Sequence, residues 1–280
     1  MKMNPRLRRQ KHHILKSSGE LEWFSPRKLQ KSLERSGLHP QSCKKIADEV
    51  TSQLEQGSST NDIYKHTMKL LKKQSSVAAA HYSLKKSLQE LGPTGYNFEF
   101  FVSKYFEAIG YSTDVGEIFQ GKFVKHEVDV IANKNRSQTF VECKFHNNSG
   151  IKNDIKIVLY VKARWDDLKA GPSGHHLQEF YVVSNTVFTL DAITYANGVG
   201  LKLLGVNAPE EETFLEKIKR YKLYPITSLI RLKNIYVQEL LKRKIILCYD
   251  LLEERTLLKK LGMEELEINT LFDEIDKLLE

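Results

Sequence analysis

The chain has 280 residues, 43 Lys and Arg against 35 Asp and Glu, and a formal charge of +8. With 41% hydrophobic residues it can bury one or two cores, which excludes disorder as its main state. The longest apolar runs, such as Ile245–Tyr249, fall far short of a spanning helix, and the basic stretch Met1–His13 has no apolar run behind it, so neither a membrane partner nor a secretory signal is expected. Three widely spaced cysteines, Cys43, Cys143 and Cys248, with no CxxC, suit reduced thiols and a cytoplasmic setting.

The charge is graded. Residues 1–92 hold 18 basic and 8 acidic side chains, 93–190 hold 11 of each, and 191–280 hold 14 basic and 16 acidic. The surplus therefore belongs to the first third and points to an anionic partner there, or to a solvated Lys-rich helical surface. Punctuation at Leu91–Gly95 and at Asn207–Pro209 suggests three segments: 1–92, 93–207 and 208–280.

In chain order, His13–Lys16 and Leu21–Phe24 flank a Ser17–Glu20 turn and read as a small hairpin. Ser25-Pro26 starts a helix, and apolar positions at Leu29, Leu33, Ile46, Val50, Leu54, Ile63, Met68, Leu70 and Val77–Tyr82 mark further helical faces. The middle segment opens on a helix, Asn97–Ile109, stopped by Gly110. Strands are expected at Ser112–Phe119, Glu127–Ala132 and Thr139–Phe145, then a helix from Lys152 to Leu168. Strand Phe180–Ser184, helix Leu190–Asn197 and strand Leu201–Val206 complete an α/β domain with a mixed sheet. The last segment reads as short helices, including Phe214–Tyr221, Tyr236–Leu241 and Glu265–Leu279. Residues 250–280 are acidic and sustain no long heptad, so these helices serve packing or oligomerisation rather than a coiled coil.

The chemistry-bearing residues lie on the hairpin Glu127–Phe145. Strand alternation puts Glu142 and Lys144 on one face, with Val141, Cys143 and Phe145 on the other. A turn centred between Asn135 and Arg136 makes facing residues sum to 271 and places Asp129 opposite Glu142. Two facing carboxylates repel unless a cation compensates, and a divalent metal is a natural answer. Lys144 would then hold or activate a water near a phosphate. A solvated face with cross-strand ion pairs competes, but the acids interrupt strands that are otherwise apolar on both sides. Glu99, one turn from Val102 and two from Phe106, brings a third carboxylate toward the same place.

Glu99, Asp129 within His126–Val130, and Glu142-Cys143-Lys144 together resemble the PD-(D/E)xK nuclease pattern. The flanking Tyr181–Thr186 and Asp191-Ala192 resemble its Mrr-like restriction endonuclease branch, over about Gly95 to Val206. The resemblance implies phosphodiester hydrolysis in DNA with Mg2+ or Mn2+ held by Asp129, Glu142 and the Cys143 carbonyl, a catalytic Lys144 and a supporting Glu99. Val128 stands where a Pro is usual. His126 reads as structural. Lys152, Lys156, Lys162 and Arg164 read either as a grip on backbone phosphates or as an ordinary solvated face.

The first segment resembles an ATP-cone, a nucleotide-sensing module. The match runs through Ile14–Gly19, Glu22, Phe24, Ser25, Lys28-Leu29, Ser59–Ile63 and Val77–Lys86, with Ser17 where an Arg is usual. It implies ATP or dATP as an effector, with Lys16 and Lys28 toward phosphates, Glu22 and Thr60 near the nucleoside, and a basic Lys86. A module that keeps the fold without binding nucleotide, and a DNA-contacting basic surface, are the competing readings. The expectation for the whole chain is a nucleotide-regulated DNA endonuclease of restriction or defence type. The alternative is a catalytically silent nucleotide sensor or DNA-binding protein on a nuclease scaffold.

Overall fold

The computed structural model describes residues 12–16, 19–148 and 150–280, so the Met1–Lys11 stretch and the Ser17-Ser18 turn lie outside the described residues. The chain divides into two compact units, one ending at Tyr82 and one running from Ser83 to Glu280.

The first unit begins with β1 (His13–Leu15) antiparallel to β2 (Leu21–Trp23), paired His13 to Trp23. Helices α1 (Pro26–Glu34), α2 (Pro40–Ser52) and α3 (Thr60–Gln74) follow, then α4 (Ser76–Gln89), which crosses the division between the units. Local chemistry sets the helix starts. The Ser25 hydroxyl accepts from Lys28 N ahead of Pro26, and Ser59 and Asp62 form a reciprocal capping box at α3. Leu29, Leu33, Ile46, Val50, Ile63, Met68 and Leu71 are buried, as their helical spacing requires.

The second unit is built on α5 (Tyr96–Ala108) and a five-stranded mixed sheet. Its strands are β3 (Ser112–Gln120), β4 (Lys125–Lys134), β5 (Ser137–Lys144), β7 (Leu177–Ser184) and β9 (Lys202–Leu204), lying side by side in that order. The first three are antiparallel; β5, β7 and β9 are parallel. Helices α6 (Ile155–Lys169) and α7 (Leu190–Val199) supply the crossovers, and the short strands β6 (Lys152–Asn153) and β8 (Val187–Phe188) pair beside them. Val128, Ile131, Phe140, Phe180 and Val182 pack with Val158 and Val161 of α6 and Ala192 and Ala196 of α7 in one apolar cluster. The sheet is thus buried on this face by crossover helices, the arrangement parallel strands favour.

The β4–β5 register is the expected one: Val130 faces Val141, Ile131 faces Phe140, and the series ends at Lys134 opposite Ser137. The turn between them puts Asn135 and Arg136 at φ 50° and 66°, a left-handed pair that matches strand twist. Lys152, expected at the start of a helix, instead lies in β6, because the Asp154 side chain accepts from Lys156 N and starts α6 two residues later.

Beyond β9 come α8 (Phe214–Arg220), α9 (Asn234–Lys242), α10 (Arg255–Lys260) and α11 (Glu265–Leu279). They pack on the rest of the second unit. Phe214 makes edge-on ring contacts with Phe101 and Tyr105 of α5, and the Thr227 hydroxyl donates to the Ser87 carbonyl over 2.7 Å. Glu274 is buried and accepts from the backbone amides of Ile230 and Arg231, which ties α11 to the loop before α9. Among the described residues, no helix is long and apolar enough to cross a membrane.

Candidate active site

The β4–β5 ladder stops at Val130–Val141, immediately before the level at which Asp129 and Glu142 would face each other. On its other side β4 also skips a pair, since Val115 faces Val130 and Glu117 faces Val128 with Gly116 and Asp129 unpaired between them. Gly116 has φ +74°, a conformation that costs glycine little. Val128 and Ile131 enter the same apolar cluster although strict alternation would send them to opposite faces. The strand pleat is therefore interrupted at Asp129, and the two strands part there.

Asp129 fills the gap with its side chain. Its Oδ2 accepts from Cys143 N over 2.6 Å, replacing the lost ladder bond. Because a strand residue's N–H and C=O point to the same side, the Cys143 carbonyl faces the same gap. The Cys143 side chain is buried, and burial together with the neighbouring Asp129 pushes its thiol well above the ordinary range, so it packs rather than reacts.

Glu142 is only 4% exposed. Lys144 donates to its Oε1 over 2.6 Å, and Arg164 from α6 donates to its Oε2 and to the Glu127 carbonyl. Arg164 is thus an internal clamp on Glu142 rather than a free phosphate grip. Lys162 pairs with Asp166 one turn away on α6.

Glu99, in the first turn of α5, is half-buried beside Gly95. Burial, then the charges of Glu127 and Glu142, raise its carboxyl above the usual range, while Lys144 pulls the other way. Asp129 is pushed up to about 7, by burial first, then by Glu142, with a further contribution from Glu99. Glu99 and Asp129 both respond to Glu142 and Lys144, and Asp129 also to Glu99, so these four side chains share one electrostatic site. As placed, no three of the described His, Cys, Asp or Glu side chains converge closely enough to enclose an ion. The donor set still fits a hard divalent cation, since Mg2+ takes one or two carboxylates with water and phosphate oxygens, and the mutual repulsion is what such a cation relieves.

A buried polar network that the sequence reading left aside holds the far end of β5. Asn153, fully buried in β6, donates to the hydroxyls of Ser184 (2.8 Å) and Thr186 (3.0 Å), and its Oδ1 lies 3.0 Å from His146 Nε2. Ser184 donates to the Lys144 carbonyl over 2.7 Å, and Asn185 exchanges bonds with the backbone of His146 on both sides. The Lys144 carbonyl and the His146 backbone are thus held in place by buried side chains. His126 is structural, as expected: its Nε2 lies 2.8 Å from Asp167 of α6.

In the first unit, three of the nucleotide candidates meet. Glu22 lies 2.7 Å from Lys16 Nζ and also pairs with Lys28, and these two lysines, Lys16 first, pull its carboxyl down to about 2. Thr60 opens α3, and a bridge between Leu15 and Ser59 brings that helix start beside the end of β1. Lys86 lies on α4 in the second unit, 3.7 Å from Glu90.

Residues 92–208 match the family described as "Restriction endonuclease", and residues 224–279 match the family described as "AF1548-like, C-terminal". An uncharacterized protein of Archaeoglobus fulgidus is 29% identical over 181 residues, covering 64% of this chain and 99% of that protein. The crystal structure of a protein of unknown function, AF1548, is 28% identical with a TM-score of 0.54, covering 66% of this chain and 98% of that one. The restriction endonuclease match spans all four site residues and supports a nuclease at the general level; it says nothing of nucleotide binding.

Proposed function

We propose that the chain is a Mg2+-dependent DNA endonuclease of restriction or defence type, and that ATP or dATP bound by its first unit regulates it. The observation that carries the nuclease reading is the parting of β4 from β5 at Asp129, which gathers Glu99, Asp129, Glu142 and Lys144 in one half-buried site within the restriction endonuclease match. Asp129, Glu142 and the Cys143 carbonyl are the groups that would hold Mg2+ or Mn2+. A divalent cation there supplies neutralisation of the attacked phosphate and of the departing oxygen.

The chain's own residues do the rest. Lys144, which donates to Glu142, would present its ammonium to the attacking water or to a phosphate oxygen. Arg164 keeps Glu142 from swinging away from the gap. Glu99 stands as a further acceptor for a water proton. Lys16, Lys28, Glu22 and Thr60 form the proposed nucleotide site of the first unit. Its support is the resemblance and the convergence of the first three side chains.

Supercoiled plasmid incubated with Mg2+, with and without ATP or dATP, tests both halves. Nicking or linearisation is expected, with a rate that nucleotide alters. Nucleotide or DNA binding without cleavage under any condition would overturn the nuclease and leave a silent sensor on its scaffold.

A further inference from the structure

The tip of the β3–β4 hairpin is built against the ordinary rule for loops. Residues Lys122–Val124 present Phe123 at 75% exposure and Val124 at 55%, with Ile118 at 67% on the adjoining strand. An isolated exposed apolar side chain is unremarkable, but a run of them on a rigid tip marks a contact surface. This tip is rigid because α6 holds its backbone. Asp167 accepts from Phe123 N (2.9 Å) and Val124 N (3.3 Å), lies 2.8 Å from His126 Nε2, and offers its own carbonyl to Lys122 N (2.9 Å). Gly121 is required for the fit, since a Cβ there would stand 2.1 Å from Asp167 Oδ2. Burial works to raise the Asp167 carboxyl, yet the His126 and amide hydrogen bonds win and hold it below the usual range.

The charge around the exposed ring is basic. Lys122 and Lys125 flank it, Lys122 Nζ standing 5.0 Å from its centroid, and the Asp167 carboxylate beneath it is turned inward onto backbone amides. Directly after the tip β4 begins at Lys125 and carries Asp129 four residues on. At about 3.3 Å per residue that is roughly 13 Å, or about four base pairs at 3.4 Å each.

We propose that this hairpin tip is a wedge for double-stranded DNA. Phe123 enters between base steps about four base pairs from the phosphate at the Asp129 site, while Lys122 and Lys125 take the flanking phosphates. An apolar wedge that unstacks a step kinks the duplex, and a basic rim supplies the affinity that offsets the unstacking. The inference rests on the nuclease reading of the Asp129 site and adds to it a position on the duplex.

The test uses the full chain and a 30-base-pair duplex, with Ca2+ in place of Mg2+, read by fluorescence anisotropy for affinity and by end-to-end energy transfer for bending. Phe123→Ala is expected to weaken binding about tenfold and to abolish the bend, Phe123→Trp to restore both, and Lys122→Ala with Lys125→Ala to lower the salt slope of binding by about two. Because the ring is exposed, thermal unfolding of Phe123→Ala should match the unaltered chain. Unchanged affinity and bending in Phe123→Ala would overturn the wedge and leave the nuclease reading standing. A change confined to oligomeric state in light scattering would reassign the tip to a second copy of the chain. Absence of any duplex binding by the unaltered chain would sink the nuclease reading and the wedge with it.

Discussion

Replacing Asp129 by Asn isolates the cost of gathering carboxylates at the parted strands. In the folded chain Asp129 is pushed up to about 7 from an ordinary 3.8, by burial and by Glu142. Its proton is thus held in the fold between about pH 4 and 7 while the unfolded chain has already lost it. The sign follows: stability attached to this group is present in full below about pH 4, declines as pH rises, and is gone above about 7. At 1.36 kcal/mol per pKa unit, the ionised side chain costs the metal-free fold up to about 4 kcal/mol at pH 8. Asn keeps an oxygen for the Cys143 amide and turns an N–H2 toward the neighbouring acids, so about 2 kcal/mol of that cost should be recovered. Urea unfolding in EDTA reads it: Asp129→Asn should be more stable than the unaltered chain at pH 8 and should have lost that advantage by pH 5. Added Mg2+ should reverse the order, stabilising the unaltered chain but not the variant. A variant less stable at pH 8 in EDTA, or a gap that does not depend on pH, would refute the picture of a repelling carboxylate site.

Other consequences are open to direct measurement. Lys144→Ala should leave duplex affinity in Ca2+ within a few-fold and reduce Mg2+-dependent cleavage at least a hundredfold, read by gel; equal rates would remove Lys144 from the chemistry. Arg164→Ala strips one of two cations from a Glu142 that is 5% exposed at its side chain, and should cost about 2 kcal/mol in urea unfolding, less than a fully orphaned buried charge because Lys144 remains. Asn153→Leu leaves Ser184 and Thr186 short of a donor, so a loss of roughly 2–3 kcal/mol is expected, with a fall in cleavage exceeding any fall in DNA affinity; a neutral effect on both would show that β5 does not depend on this network. Gly121→Ala should lower the melting temperature and raise amide exchange at Phe123 and Val124, since its Cβ would collide with Asp167.

Much of the second unit's sheet is legible in the sequence because its signals are local. The Asn135–Arg136 turn alone sets the β4–β5 register, and the run of strands and helices from Ser112 to Val206 follows from alternation and capping residues. The nearness of the four proposed site residues was likewise readable, Glu99 from its helical spacing and the others from their places on the hairpin. What escaped was long-range. Alternation predicts Asp129 across from Glu142 on one face, but the skipped pair at Gly116 interrupts the pleat, and only the positive-φ glycine hints at it. Arg164 sits on an amphipathic helix among lysines, and nothing in its neighbours distinguishes an inward clamp from an outward grip. Asn153 is a lone polar residue between two charged ones, and its burial depends on β8, thirty-odd residues on. The short strands β6 and β8, two residues each, are too brief for periodicity to reveal.

The most direct test of the account is single-turnover cleavage of one end-labelled duplex by the unaltered chain, Lys144→Ala and Asp129→Asn, each with Mg2+ and with EDTA. The account predicts phosphodiester hydrolysis by the unaltered chain in Mg2+ alone, with both variants folded and reduced at least a hundredfold. Cleavage that survives in both variants, or that persists in EDTA, would contradict it.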